Sequence, residues 1–405
     1  MNALHSISKK FGVAVILICV VLSSNGKTEE PSSKTENFSL EPELGVELRY
    51  DDNIFQSATG VTSSLISIVS PGLFVSAQPS KHRFEFQYDG DFARYSDSSP
   101  DNYDDHYLEA GAYLALGQRS KFDIVGSYDD AHEDRGTGLT EGFDPAINIP
   151  PEPDEYHFSR FLGRFSFGSG ASKGRLVLEA GYRDLEYTNH LDRTRFFDRG
   201  ENFGDATFYY RVMPKTSLLL DARLTEIDYQ HDRALQPSLD SKERRYLFGV
   251  TWDTTVKTTG TVKVGYVQKK FDASALGEFS DPSWEVDVRW SPRTYSHFNF
   301  RTARYPSETN AGGNFIDNTS YSAAWEHAWS NRIKSRLGAR YLEQDYRGSA
   351  LNRKQELTKY SFSLSYEMRR WLKWQAGVEV NSRNSNINLF EFDGNVYSIS
   401  VLMTL

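Results

Sequence analysis

The chain has 405 residues, a formal net charge of −9, 39% hydrophobic and 14% aromatic residues, and one cysteine. The acidic balance argues against nucleic acid as a partner, and a single cysteine excludes a disulfide framework. A mean hydropathy well below zero excludes a helical membrane protein but not a barrel, because only half of each barrel strand needs to be apolar.

Residues 1–26 read as a secretory signal. Lys9 and Lys10 supply the basic start, Phe11 to Leu22 is an unbroken apolar stretch, and Ser24 and Gly26 suit processing before Lys27. The apolar stretch falls short of the ~20 residues of a spanning helix; a retained anchor is the alternative. Ile18 before Cys19 does not suit lipid attachment. Processing would remove two lysines and no acids, moving the formal charge from −9 to −11. Residues 27–42 are expected to form a short periplasmic segment and residues 43–405 a single barrel domain.

From there the chain repeats one unit, a run with apolar side chains at every second position, the mark of a two-faced strand. Arg245 to Trp252 and Trp284 to Trp290 are clear examples. Strands are expected near 43–50, 63–76, 82–95, 104–116, 121–131, 157–168, 174–187, 200–212 and 217–229. They continue near 243–253, 260–271, 282–290, 295–305, 317–329, 333–346, 357–368, 372–383 and 394–405. The fold class is therefore all-β: a transmembrane antiparallel β-barrel of about eighteen strands, with sixteen the next count to consider. An even number puts both ends in the periplasm. The last strand ends in Leu405, not in the aromatic that barrel assembly machinery commonly reads.

The connections alternate in length. Short ones such as Gln78 to Lys81, Met213 to Thr216 and Ser291 to Thr294 suit periplasmic turns; long ones such as His132 to Glu155 and Thr188 to Asp198 suit extracellular loops. Trp252, Trp290, Trp329, Trp371 and Trp374 flank short connections, whereas Tyr50, Tyr128, Tyr187, Tyr229, Phe271 and Tyr305 lie near long ones, as two aromatic girdles require. The 132–155 loop carries Asp134-Arg135-Gly136 and then Pro145, Pro150, Pro151 and Pro153. Proline stiffens a loop and keeps it out of the sheet, so this loop is expected either to constrict the mouth or to cap it. Its acids, with Asp101, Asp104, Asp105, Asp129 and Asp130, are read as solvated loop charge, with divalent-cation capture the lesser alternative.

Enzyme signals are weak. Gly170-Ala171-Ser172-Lys173-Gly174 matches a nucleophile pattern that has meaning only on a strand-to-helix elbow, and here it falls between two expected strands. His132 beside Asp129, Asp130 and Asp134 is the only local acid–histidine group. No enzyme activity, cofactor or metal site is expected.

With the apolar set facing lipid, the charged set faces a wet lumen. The pore-lining candidates are Glu285, Asp287, Arg289, Arg301, Glu326, Arg336 and Arg340. The four arginines either form a basic strip on adjacent strands or pair with the nearby acids and brace the wall.

Two passages carry a family likeness. Tyr50-Asp51-Asp52-Asn53-Ile54-Phe55 follows a strand with Gly45, and Tyr128-Asp129-Asp130-Ala131-His132-Glu133-Asp134-Arg135-Gly136 closes an early strand pair. Together they resemble the β-barrel porin family often encoded with bacterial exopolysaccharide or capsule biosynthesis genes. The resemblance implies a Gram-negative outer-membrane barrel serving as exit conduit, or accessory, for a secreted polysaccharide. Its partners would be outer-membrane lipid and lipopolysaccharide, the assembly machinery, the polysaccharide and periplasmic export proteins. A general diffusion porin for small solutes is the alternative.

Overall fold

A computed structural model describes residues 38–143, 150–170, 172–233, 236–253, 257–310 and 312–404. The expected signal and most of the expected N-terminal segment lie outside the described residues. Eighteen strands follow one another: β1 (Phe38–Asp51), β2 (Ser64–Ala77), β3 (Arg83–Tyr95), β4 (Tyr103–Ala115), β5 (Ser120–Glu133), β6 (Asp154–Phe167), β7 (Gly174–Tyr187), β8 (Arg199–Met213) and β9 (Thr216–Tyr229). The second half comprises β10 (Ser241–Trp252), β11 (Thr258–Phe271), β12 (Glu278–Arg293), β13 (Ser296–Glu308), β14 (Phe315–Ala328), β15 (Ile333–Arg347), β16 (Lys354–Arg369), β17 (Leu372–Ser385) and β18 (Phe392–Thr404).

Each strand pairs antiparallel with the next, and β18 returns to β1 through pairs such as Val46 with Val401. Closure leaves no strand with a wholly unpaired edge, which a bilayer would penalise. The period of two sorts the side chains. Leu44, Val46 and Leu48 are exposed on the outer face of β1, and Tyr360, Phe362 and Leu364 on that of β16; the charged set points inward.

The strands outrun the expected bounds at a few places, and proline explains two. β1 starts at Phe38 because residues 38–42 pair with β2, although pairing with β18 begins only at Glu43. Pro42, with no N–H to donate, therefore faces a side with no ladder. Likewise Pro282 in β12 sits opposite Tyr266 of β11, while pairing with β13 begins at Trp284.

At one end the turns are tight: Met213 pairs with Thr216 and Arg369 with Leu372, each after a bulge. This is the end expected at the periplasm. At the other end the connections are long and turn inward. The aromatic positions follow this asymmetry. Trp290, Trp329, Trp371 and Trp374 are exposed outside the short-turn end, and Tyr50 and Tyr128 outside the long-loop end. The expected second girdle is only partly there. Tyr187 and Phe271 are buried inside the barrel, where Tyr229 joins Leu239, Phe271 and Phe315. Their place near long loops was legible, but which face they took depends on register.

Candidate functional site

The three clusters of buried apolar side chains all lie inside the long-loop end. Ile54 and Phe55, from the β1–β2 connection, pack on Ile66, Ile68, Ala93 and Tyr103. Leu139, from the β5–β6 connection, packs on Leu185 and Tyr187. Leu239, from the β9–β10 connection, packs on Phe271 and Phe315. Inward loops thus fill this mouth with a close-packed core, whereas lumen side chains toward the other end, such as Lys334 and Arg336, are exposed.

The β5–β6 connection does most to close it. β4 and β5 pair only as far as His106 with Asp130, while β5 stays paired to β6 up to Glu133 with Asp154. The chain peels away from β4 there and turns inward through Asp134-Arg135-Gly136. Arg135 anchors the turn: its Nε and Nη2 donate to the Asp101 carboxylate at 2.8 and 2.5 Å, Nη2 to Ser98 Oγ at 3.0 Å and Nη1 to the Pro150 carbonyl at 2.9 Å. The acid Asp101 is thereby a bracing group, not solvated loop charge. Gly136 adopts φ +86°, and a Cβ there would lie 1.6 Å from the Phe55 carbonyl oxygen, so only glycine fits. Farther along, the Glu133 carboxylate accepts the Leu139 N–H at 3.2 Å and the Tyr187 hydroxyl at 2.8 Å.

The tip is Glu141. Its Oε2 accepts from Arg353 Nη2 at 2.6 Å, the Tyr346 hydroxyl at 3.2 Å and Asn310 Nδ2 at 3.3 Å. Its Oε1 accepts from Gln355 Nε2 at 3.2 Å and from Arg383 Nη1. Burial would raise this carboxyl, but Arg383 and Arg353 outweigh it and hold it down at about 2. Tyr346, Gln355 and Arg383 lie at inward positions on β15, β16 and β17. Since β6 and β15 stand nine places apart in a ring of eighteen, the connection is a strap across the lumen. Of the two expected arrangements, the described part of the loop takes the inward one. Pro145 lies outside the described residues.

Both passages that carry the family likeness build this mouth. Asp52 accepts the backbone N–H and side-chain amide of Asn395 at 2.7 and 2.8 Å, and Asn53 donates to the Asp393 carbonyl at 2.8 Å. The β1–β2 loop is thus tied to β18 at the closing seam. The second passage is the stem of the strap. His132 in that stem donates or accepts at both ring nitrogens, Nδ1 with Asp105 at 2.8 Å and Nε2 with Asp134 at 3.2 Å, and stacks on Tyr103. Of its expected acid neighbours Asp134 is a hydrogen-bond partner; Asp105 comes from β4, where it lies just beyond the last β4–β5 pair, His106 with Asp130. With both nitrogens engaged, the ring is a pin, not a poised base. Ser172 lies in the β6–β7 turn, its Oγ accepting the Ser169 N–H at 3.0 Å; no helix follows it.

The seven pore-lining candidates all take the inward face, in two settings. Glu285 pairs with Arg245 at 2.6 Å and Lys263 at 3.0 Å in a buried part of the wall. A Cβ on Gly265 would lie 2.0 Å from the Tyr246 carbonyl oxygen, and β10 touches β12 past it, so the wall bends sharply here. Asp287 and Arg301, 2.7 Å apart, and Glu326 with Arg336 stand in the open lumen. Arg289 is exposed there too. The basic strip exists in altered form. Arg301 faces Ser322, Ser322 faces Arg340, and Arg340 faces Lys359 on β16. Sequence reading missed Lys359 because only the register places it in that row. Two of the four expected arginines are paired with acids, which is the bracing arrangement.

A closed antiparallel barrel, apolar outside and charged within, with tight turns at one end and inward loops at the other, defines an outer-membrane β-barrel of the porin type. The chain belongs to the family described as "Putative beta-barrel porin 2", whose model matches residues 33–405. No curated protein sequence matches it. Among solved structures it is similar to Pseudomonas aeruginosa OpdK with vanillate, with 12% identity, a TM-score of 0.50, and coverage of 90% of this chain and 98% of that one. It is also similar to Acinetobacter baumannii OccAB2, with 12% identity, a TM-score of 0.48, and 93% and 99% coverage. The FrpB iron transporter of Neisseria meningitidis has 10% identity, a TM-score of 0.47, and 90% and 81% coverage. At such identities the likeness is one of fold. The expected link to exopolysaccharide genes finds no support in these matches, and the porin alternative fits them better.

Proposed function

We propose that this protein is an outer-membrane diffusion channel for small solutes, with the β5–β6 strap as its selective point. The observation that carries this reading is the Glu141 contact, which fixes the strap across a charged lumen. A wet, charged wall suits polar solutes, and a narrowed mouth suits small ones. The same narrowing speaks against a polymer conduit, since a chain of sugars would have to pass the packed core on both sides of the strap.

Liposome swelling with sugars of graded size tests this. The purified protein should admit monosaccharides and exclude long oligosaccharides. A protein that admits neither, with the strap intact or released, is not a diffusion channel.

A further inference from the structure

We infer that the inward pocket formed by Arg353, Arg383, Gln355 and Tyr346 is a binding site for a small carboxylate solute, and that Glu141 is the protein's own stand-in for that solute. This rests on the channel reading and names the class of solute the mouth would take.

Five donors from β15, β16, β17 and two connections converge on one carboxylate, with both oxygens engaged. Each guanidinium gives the carboxylate one N–H, Arg353 to Oε2 and Arg383 to Oε1, and neutral donors take remaining lone pairs, so both oxygens meet a charge-assisted bond.

The pocket is also held in shape by groups other than the strap. The Arg353 guanidinium lies between the Tyr346 and Phe390 rings, at 4.0 and 3.5 Å, and its Nε and Nη2 donate to Gln355 Oε1 at 3.1 and 2.6 Å. Arg383 Nε donates to the Phe390 carbonyl at 2.5 Å, and its guanidinium covers the Phe392 ring. Gln355 Nε2 donates to Gln344 Oε1 at 2.8 Å. Preorganised donors bind a ligand without first paying to order themselves. Two buried guanidinium groups around one carboxylate also leave a strong demand for an anion once Glu141 withdraws. An arriving carboxylate meets that demand, and its binding frees the strap tip. On the same inward face, toward the other end, lie Lys359 and Arg340, the next cations along β16 and β15.

Full-length protein in detergent, carrying Glu141→Ala, tests this with sodium acetate as probe and sodium chloride as the ionic-strength control. Acetate should raise the thermal midpoint of Glu141→Ala and bind at least about tenfold more tightly than to wild type, where Glu141 competes. Adding Arg383→Gln should abolish the effect. Glu141→Gln, which keeps the shape and removes the charge, serves if the alanine variant does not assemble; it should also respond to acetate more than wild type does. No acetate response in either variant, or one that survives Arg383→Gln, overturns the site. Bilayer conductance of the same samples separates the two readings. Conduction without acetate binding sinks the site alone, whereas acetate binding without conduction in any variant sinks the channel.

Discussion

Glu141 shows how a single residue can be decisive and still illegible. Asp134-Arg135-Gly136 stood out because an acid, a base and a glycine precede a run of prolines. Nothing marked Glu141, whose main partner, Arg383, lies 242 residues away. Only closure of the barrel brings them together. The contact has a definite pH signature. The carboxyl is lowered from 4.5 to about 2, so the ionised contact favours the strapped state fully above pH 4.5. That contribution declines as pH falls below 4.5 and is gone once pH has passed through about 2. The partners of Glu141 are arginine, tyrosine, glutamine and asparagine side chains, none of a type that titrates in acid, so the acid sensitivity of the contact is that of Glu141 itself. The Glu141 contact should therefore hold the strap from neutral pH down to about 5 and release it in strong acid, raising wild-type conductance there. Glu141→Gln should already be high at neutral pH and lack the rise. A wild-type channel that opens near neutrality would place the sensor elsewhere.

Strands were the most legible feature, because alternation is a local property: all eighteen expected runs correspond to observed strands. Register is not local, and it decides what each wall does. Glu285 and Asp287 are two residues apart on β12 and read alike in sequence. Yet Arg245 beside Glu285 is 3% exposed, whereas Arg301 beside Asp287 is 69% exposed. Removing Arg245 takes away one of the two cations on a buried carboxylate and leaves it to Lys263 alone, so Arg245→Ala should cost roughly 1–3 kcal/mol in urea unfolding. Arg301→Ala should cost about 0–1 kcal/mol, because water replaces the partner. Equal costs would mean that the wall does not bend at β10–β12 as described. On the outer face, Val288 stands opposite Gly260 and Phe300. Val288→Arg should impair folding by about 2–4 kcal/mol if that position lies near the bilayer midplane. A harmless substitution would put Val288 inside and exchange the faces of β12.

At the scale of the whole molecule, the barrel encloses two regions with different jobs. The long-loop end is packed like a protein interior, and its buried clusters supply rigidity that the lipid-facing wall cannot. Toward the other end the inward faces of β13 and β15 are open and charged, whereas Leu219, Asp221 and Leu247 on β9 and β10 are buried in the bent wall. Composition and loop alternation announced the barrel and its two ends, but they could not say that Tyr187, Tyr229 and Phe271 would turn inward to build a core. The likeness to a family linked with polysaccharide genes rested on passages that prove to be mouth-building: Asp52 and Asn53 at the seam, His132 to Gly136 in the strap stem. They take part in how the mouth is closed.

The central claim is that the strap limits passage. Single-channel conductance in planar bilayers tests it most directly, comparing wild type with a variant whose 137–152 segment is replaced by a short glycine–serine turn. The strapless barrel should assemble and conduct several times better than wild type, with larger solutes admitted. An assembled strapless barrel with wild-type conductance would contradict the account.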